Sequence, residues 1–236
     1  MIFKTLHKTL ASWLAGDCRL CGDPDSDQFG LCQACLHELP RNLPACPRCG
    51  AAMTNTASLL CGQCLQHPPH FDQAIVPYRY APPLNGFVTG LKFHGQLAAA
   101  RLLAGLLQQT LSENLEKGIY ELPECVVPVP LHPGRLRTRG FNQAVELSRP
   151  VARQLQLPLE IHGVRRQRNT RPQSELQRQA RQRNIRHAFK VRDNFQYKHI
   201  ALIDDVITTG STVNELARVF KKAGVRRVDV WAVARA

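Results

Sequence analysis

The sequence predicts an α/β fold in which a doubly wound parallel sheet follows a small cysteine-built module. Three observations carry this reading. From about residue 71 onward, short apolar runs of strand length alternate with longer amphipathic stretches. One of those runs stops at two adjacent acids and a turn rich in hydroxyls and glycine. Ahead of them, eight of the nine cysteines stand in four Cys-x-x-Cys pairs. We therefore divide the 236-residue chain into a front module, 1–70, and an α/β domain, 71–236.

The first residues, MIFKTLHKTLASWLAG, place Phe3, Leu6, Leu10, Trp13 and Leu14 at helical spacing. This predicts a short helix that packs on the domain behind it, with a membrane-surface anchor as the alternative. Lys4, His7 and Lys8 interrupt any signal-peptide core. No run of roughly eighteen uncharged apolar residues is present, so no transmembrane segment is expected. The expected location is the cytoplasm or the periphery of the inner membrane.

The cysteine pairs are Cys18 and Cys21, Cys32 and Cys35, Cys46 and Cys49, Cys61 and Cys64. In a cytosolic chain such pairs read as metal ligands rather than disulfides. Each pair chelates from one tight turn, and two pairs complete a tetrahedral sulfur site, so eight thiolates fit two structural zinc ions. Gly22, Gly50 and Pro47 supply the turn chemistry. The ten or eleven residues between pairs are too few for a core of their own, so metal folds residues 18–64. Sequential pairing is expected, with Cys18, Cys21, Cys32 and Cys35 on one ion. Crossed pairing uses the same spacings, and iron–sulfur or redox-active pairs are further alternatives. Cys125, the ninth, sits in a strand pattern and reads as a small buried apolar residue.

In the α/β domain, residues 71–80 (FDQAIVPYRY) alternate as a strand that Pro82 and Pro83 end. Residues 96–117 then read as a helix with a leucine face, and CVVPVPL at 125–131 as a buried strand. An arginine-rich loop follows, then a helical stretch over about 142–156 that Pro150 either kinks or splits. Strands are predicted at about 159–164 and 200–204, a helix over 211–222 closed by Gly224, and a last strand over 228–233.

The segment IALIDDVITTGST, 200–212, carries the most specific chemistry. A loop after a parallel strand opens on the ligand crevice and aims backbone N–H groups at an anion. Gly210 permits close backbone approach, and the following helix adds its positive N-terminal end. Thr208, Thr209, Ser211 and Thr212 can each donate to phosphate oxygens. Asp204 and Asp205 would repel a bare phosphate, so they imply a polyol, a divalent cation, or both. A phosphorylated sugar meets both demands. The plain structural alternative is a strand followed by a helix capped at Ser211 or Thr212.

This segment resembles the phosphoribosyl-pyrophosphate (PRPP) loop of the type I phosphoribosyltransferases. The resemblance implies that Asp204 and Asp205 hold the ribose hydroxyls at the reacting centre and that Thr208 to Thr212 cradle the 5′-phosphate. A second segment, VPVPLHPGRLRTRGFNQ at 127–143, joins a proline-ended strand to an arginine-rich turn, as a diphosphate would require.

The formal charge of +13 is large for this length, and arginine favours phosphate or nucleic acid as partner. The charge is clustered. Arg165, Arg166, Arg168, Arg171, Arg178, Arg181, Arg183, Arg186, Lys190 and Arg192 form one group, and Arg135, Arg137 and Arg139 another. Leu176, Ile185, Phe189 and Val191 interleave the first, which points to an ordered anion-binding surface rather than a solvated tail. Tyr78, Tyr80, Phe93 and Phe141 are candidates to stack unpaired bases, although aromatics are more often core.

Taken with LKFHG at 91–95 and the cysteine pairs, both loops make the whole chain resemble the ComF competence family. That resemblance implies a type I phosphoribosyltransferase-like domain behind a double zinc ribbon, and a competence factor for natural transformation. It implies single-stranded DNA as a partner, together with the DNA-uptake helicase and the recombination mediator. It further implies PRPP bound with magnesium, the loop from Pro130 to Arg139 including Arg135 touching the diphosphate, and Lys92 and Arg139 as further phosphate ligands. Whether the chain catalyses phosphoribosyl transfer is left open, because no acceptor site is legible. A PRPP-sensing DNA-binding regulator is the third reading.

Overall fold

The computed structural model describes residues 16–27, 29–54, 60–167 and 185–236. The helix expected before residue 16, and Arg168, Arg171, Arg178, Arg181 and Arg183, lie outside them.

Each cysteine set ends in one short helix, α1 (Gln33–His37) and α2 (Gly62–Gln66), whose N-caps are the ligand candidates Cys32 and Cys61. Two short strands follow, β1 (Gln73–Ile75) and β2 (Tyr78–Arg79). The single strand expected over 71–80 is therefore broken. Pro77 has no N–H to offer a ladder, and the chain there turns to the front module instead. The Asn42 N–H donates to the Pro77 carbonyl at 2.8 Å, and its side-chain amide to Val76 O at 3.0 Å.

Helix α3 (Leu84–His94) was not legible in the sequence. Gly86 and Gly90 lower its intrinsic propensity, and burial of Leu84, Val88 and Leu91 overrides that. Gly95 ends it in the left-handed conformation, φ 61°. Helix α4 (Leu97–Glu116) matches the leucine-faced stretch, and β3 (Cys125–Pro128) is wholly buried. The arginine-rich segment is not a loop but a seven-residue helix, α5 (Pro133–Arg139). Pro133 suits its first turn, His132 Nδ1 accepts from the Gly134 N–H, and Gly140 closes it at φ 82°.

Helix α6 (Gln143–Gln154) runs through Pro150 as one element. A proline inside a helix costs ~3 kcal/mol, and the buried face of Ala144, Leu147, Val151 and Ala152 offsets it. The strand expected at 159–164 reduces to one parallel bridge, Leu159 to Val126. Beyond it β4 (Val164–Arg166) leaves the main sheet and pairs antiparallel with β5 (Phe189–Val191). Next come β6 (His199–Ile207), α7 (Ser211–Lys222) and β7 (Arg227–Arg235).

The main sheet is parallel throughout, in the order β1, β7, β6, β3, with β2 continuing beside β7. Side-chain alternation gives it two apolar faces. Val126, Ala201, Ile203, Trp231 and Val233 meet the leucines of α3 and α4 and the α6 face. Val127, Ile200, Leu202, Val228 and Val230 meet Val213, Leu216, Ala217 and Phe220 of α7. Helices thus cover both faces, the doubly wound arrangement. Cys125, 0% exposed, lies in the second cluster, and burial pushes its thiol up to about 12.

The front module straddles the β1/β2 edge. Cys18, Leu31, Cys32, Cys35 and Leu36 join the first apolar cluster, while Cys49 packs against the second. Arg41 bridges to Tyr78, and the Arg79 N–H donates to Pro40 O at 2.8 Å, which occupies the open edge of the sheet.

Candidate phosphoribosyl site and metal centres

The acids do not end their strand. β6 continues past Asp204 and Asp205 to Ile207, because β7 supplies partners as far as Arg235. Asp205 is 5% exposed and Asp204 half-buried, both near the C-terminal end of β6, where a parallel sheet opens its ligand crevice.

Helix α3 brings the counter-charge. Lys92 Nζ lies 2.7 Å from Asp205 Oδ2. Burial works against the Lys92 charge, but Asp205 outweighs it and holds the ammonium above its ordinary value. Burial and Asp205 together push the Asp204 carboxyl up to about 8. Two carboxylates this close resist joint ionisation unless cations gather round them.

Cations do gather there. Arg139, pulled down from its ordinary value by burial, interacts with Asp205 and with Arg135. Arg166, buried at 7% exposure and pushed down to about 10, interacts with Arg135 and Asp204 while its guanidinium lies 5.8 Å from the Phe189 ring centroid. Elements far apart in sequence, α3, α5 and the β4–β5 ribbon, thus converge on the acid pair. Arg165, on the opposite side of β4, is exposed.

Thr208 to Thr212 form the turn into α7. Gly210 is its N-cap at φ 75°, a conformation that favours glycine and brings no capping side chain of its own, while the Thr209 hydroxyl accepts from the Ser211 N–H at 3.3 Å. Thr209 and Ser211 share a hydroxyl hydrogen bond at 2.8 Å. Glu215 does not reach back to close a capping box. It accepts from the His187 N–H at 2.9 Å and binds Arg218 through two bonds of 2.7 Å. Glu215 thus leaves the positive end of α7 without a neutralising carboxylate in its first turn.

Sequence reasoning missed two supports of this turn. Arg235 Nη1 donates to the carbonyls of Ile207, at 2.8 Å, and of Thr208, fixing the strand-to-turn junction. Asn214 Oδ1 accepts from the His70 N–H at 2.7 Å and ties α7 to the end of the front module. A 510 Å³ cavity lies between them, bounded by Cys64, His70, Arg186, Gly210 and Asn214. Only the chain's final strand could have hinted at Arg235, and its basic residue there looks like an ordinary strand end.

The eight paired cysteines form two sets of four, Cys18, Cys21, Cys32, Cys35 and Cys46, Cys49, Cys61, Cys64, so the pairing is sequential. Within each set all sulfur atoms lie within 4.8 Å of one another, and Cys21–Cys32 and Cys49–Cys61 are each 3.6 Å apart. A tetrahedral zinc thiolate has sulfur–sulfur edges of ~3.8 Å from its ~2.3 Å bonds, so each set fits one ion. The Cys61 N–H donates to Cys46 Sγ at 3.4 Å, as backbone amides support thiolates. Burial and the neighbouring sulfurs push Cys64 well above its ordinary value, whereas backbone hydrogen bonds, overcoming burial, lower Cys46 to about 7. Four thiols packed this way ionise together only around a cation, and with four ligands each site is closed.

A parallel sheet with this acid pair and phosphate-type turn, behind two four-sulfur centres, defines a double zinc ribbon protein with a phosphoribosyltransferase fold. Residues 10–65 match the double zinc ribbon domain family and residues 142–236 the phosphoribosyl transferase domain family. Competence protein F of Haemophilus influenzae is 36% identical over 210 residues, 88% of this chain and 91% of that protein. The DNA utilization protein YhgH of Escherichia coli is 36% identical over 93% of this chain and 97% of its own length. Competence protein ComFC of Streptococcus pneumoniae is 28% identical over 89% and 90%. The chain belongs to the ComF competence family.

Proposed function

We propose that this chain is a competence factor for natural transformation, binding single-stranded DNA and handling it during or after inner-membrane uptake. Its crevice takes a phosphorylated ribose of the PRPP type with magnesium. The observation that carries this reading is the meeting of Lys92, Arg139 and Arg166 around Asp204 and Asp205, with Arg135 beside the two arginines, next to the glycine-capped start of α7. An acid pair ringed by cations suits a ligand that is polyol at one end and polyanion at the other.

In this reading Asp204 and Asp205 accept hydrogen bonds from ribose hydroxyls. Thr208, Thr209, Ser211 and Thr212, with the backbone at Gly210, donate to the 5′-phosphate. Arg135, Arg139 and Lys92 face the diphosphate, and magnesium, when bound, would offset its remaining charge. The chain works as two units, residues 1–70 and 71–236, with the zinc module docked on the sheet edge. No helix among the described residues is long and apolar enough to cross a membrane. A transmembrane partner in uptake, such as the translocating machinery with its helicase, would then pass the strand on, and a recombination mediator receive it. The curated relatives named for competence and for DNA utilization support the DNA half.

The test measures three quantities for wild type and for Asp204→Asn/Asp205→Asn: PRPP affinity by calorimetry, single-stranded DNA affinity across salt, and transformation in a competent host. Lost PRPP binding with impaired transformation supports the reading. Full transformation by the double variant makes the phosphoribosyl crevice a relic and sinks it. Steady diphosphate release on adding a nucleobase or amine would instead make the chain a working transferase.

A further inference from the structure

We propose that Phe93 is a stacking platform for an unpaired nucleobase at the mouth of the acidic crevice. The inference rests on the DNA reading given above and deepens it by naming where a base sits.

The candidate aromatics separate clearly by burial. Tyr78 is 0% exposed and Phe141 packs against the core, whereas Tyr80 is 37% and Phe93 70% exposed. Of the other large apolar residues of its helix, Leu84, Val88 and Leu91 are buried and Phe87 packs partly buried against the core. An isolated exposed phenylalanine is ordinary. This one follows Lys92 directly, whose ammonium contacts Asp205 at 2.7 Å. Its ring also carries the Arg139 guanidinium, 5.8 Å from the centroid. Arg139 in turn interacts with Asp205 and Arg135, so the ring belongs to the charged rim of the crevice.

A cation on one face of a ring leaves the other face available. An aromatic face beside a cationic track is the arrangement that holds single strands, with bases stacked and phosphates paired to arginine. Arg135 and Arg137, on the same short helix as Arg139, supply that track. A membrane surface also takes an arginine beside an open phenylalanine. A base stacked on Phe93 would lie next to the ribose held by Asp204 and Asp205, a neighbour that a lipid surface does not use.

The experiment uses the full-length, zinc-loaded protein and an end-labelled oligothymidylate read by anisotropy, with Phe93→Ala, Phe93→Leu and Phe93→Trp. Alanine and leucine should weaken binding by roughly 5- to 100-fold, tryptophan should restore it, and the salt slope should stay unchanged. An oligonucleotide carrying abasic sites should bind wild type as weakly as thymidylate binds the alanine variant. Melting temperature and zinc content should not move, since the ring is 70% exposed. Wild-type affinity in Phe93→Ala overturns the platform while leaving the DNA reading intact. Absence of DNA binding by wild type overturns both. Lost affinity for vesicles of anionic phospholipid, with DNA affinity retained, assigns Phe93 to a membrane surface and also overturns the proposal.

Discussion

The Lys92 ammonium lies 2.7 Å from an Asp205 carboxylate oxygen, joining helix α3 to the middle of the sheet at the crevice floor. The Asp205 side chain is 6% exposed and the lysine 27% exposed, so water screens this pair only in part.

Removing one partner strands a buried charge. Lys92→Met should therefore lower stability by about 2–3 kcal/mol, the low end for a broken buried pair because the lysine is partly open. Urea denaturation reads the loss. Asp205→Asn added to Lys92→Met should recover part of it, and a strictly additive double variant would show that the pair does not couple.

Asp204 gives the fold a pH dependence of definite sign. Its carboxyl is raised from 3.8 to about 8 by burial and by Asp205. The folded state therefore holds a proton that the unfolded chain has already released within that window, and stability falls as pH rises through it. Melting temperatures between pH 5 and pH 8, inside that window, should decline in wild type and decline less in Asp204→Asn. Equal slopes for both would remove Asp204 as the cause.

One close contact of the front module runs through a glycine. Gly105 lies within α4, and a Cβ there would overlap the Phe29 ring. Gly105→Ala should cost roughly 1–3 kcal/mol by overpacking, despite alanine's better helix propensity. Limited proteolysis should then cut first near the front module, and a more stable variant would show that Phe29 moves aside freely.

Metal analysis checks the two sulfur sets independently. Wild type should carry close to two zinc ions per chain, and Cys64→Ser close to one. A strong chelator should unfold residues 18–64 while the parallel sheet keeps its signal in circular dichroism, since most of both apolar clusters comes from residues beyond 70. Coordinate loss of both would mean that the domain depends on its zinc module.

What the sequence determined by itself was chemistry written in contiguous residues. Cys-x-x-Cys chelates close within one turn, so the four chelating pairs were legible, whereas crossed pairing shares their spacings and only the structure made the pairing sequential. The strand, acids, hydroxyl turn and helix of 200–222 were legible for the same reason, as was the α/β class from its alternating periods. The sequence was a poorer guide wherever propensity met tertiary packing. Helix α3 went unread because its glycines argue against it, and α5 passed for a loop because it buries no residue of its own. The sheet ladder with β7 alone carried β6 beyond the acids, and Pro77 together with the front module's hydrogen bonds divided the strand at 71–80. Contacts between distant segments lay beyond any local pattern. Lys92 on Asp205, Arg139 over Phe93 and Arg235 under the phosphate turn each join residues that only the folded sheet brings together. A side chain's partner is set by burial and topology, and neither is a property of its sequence neighbours.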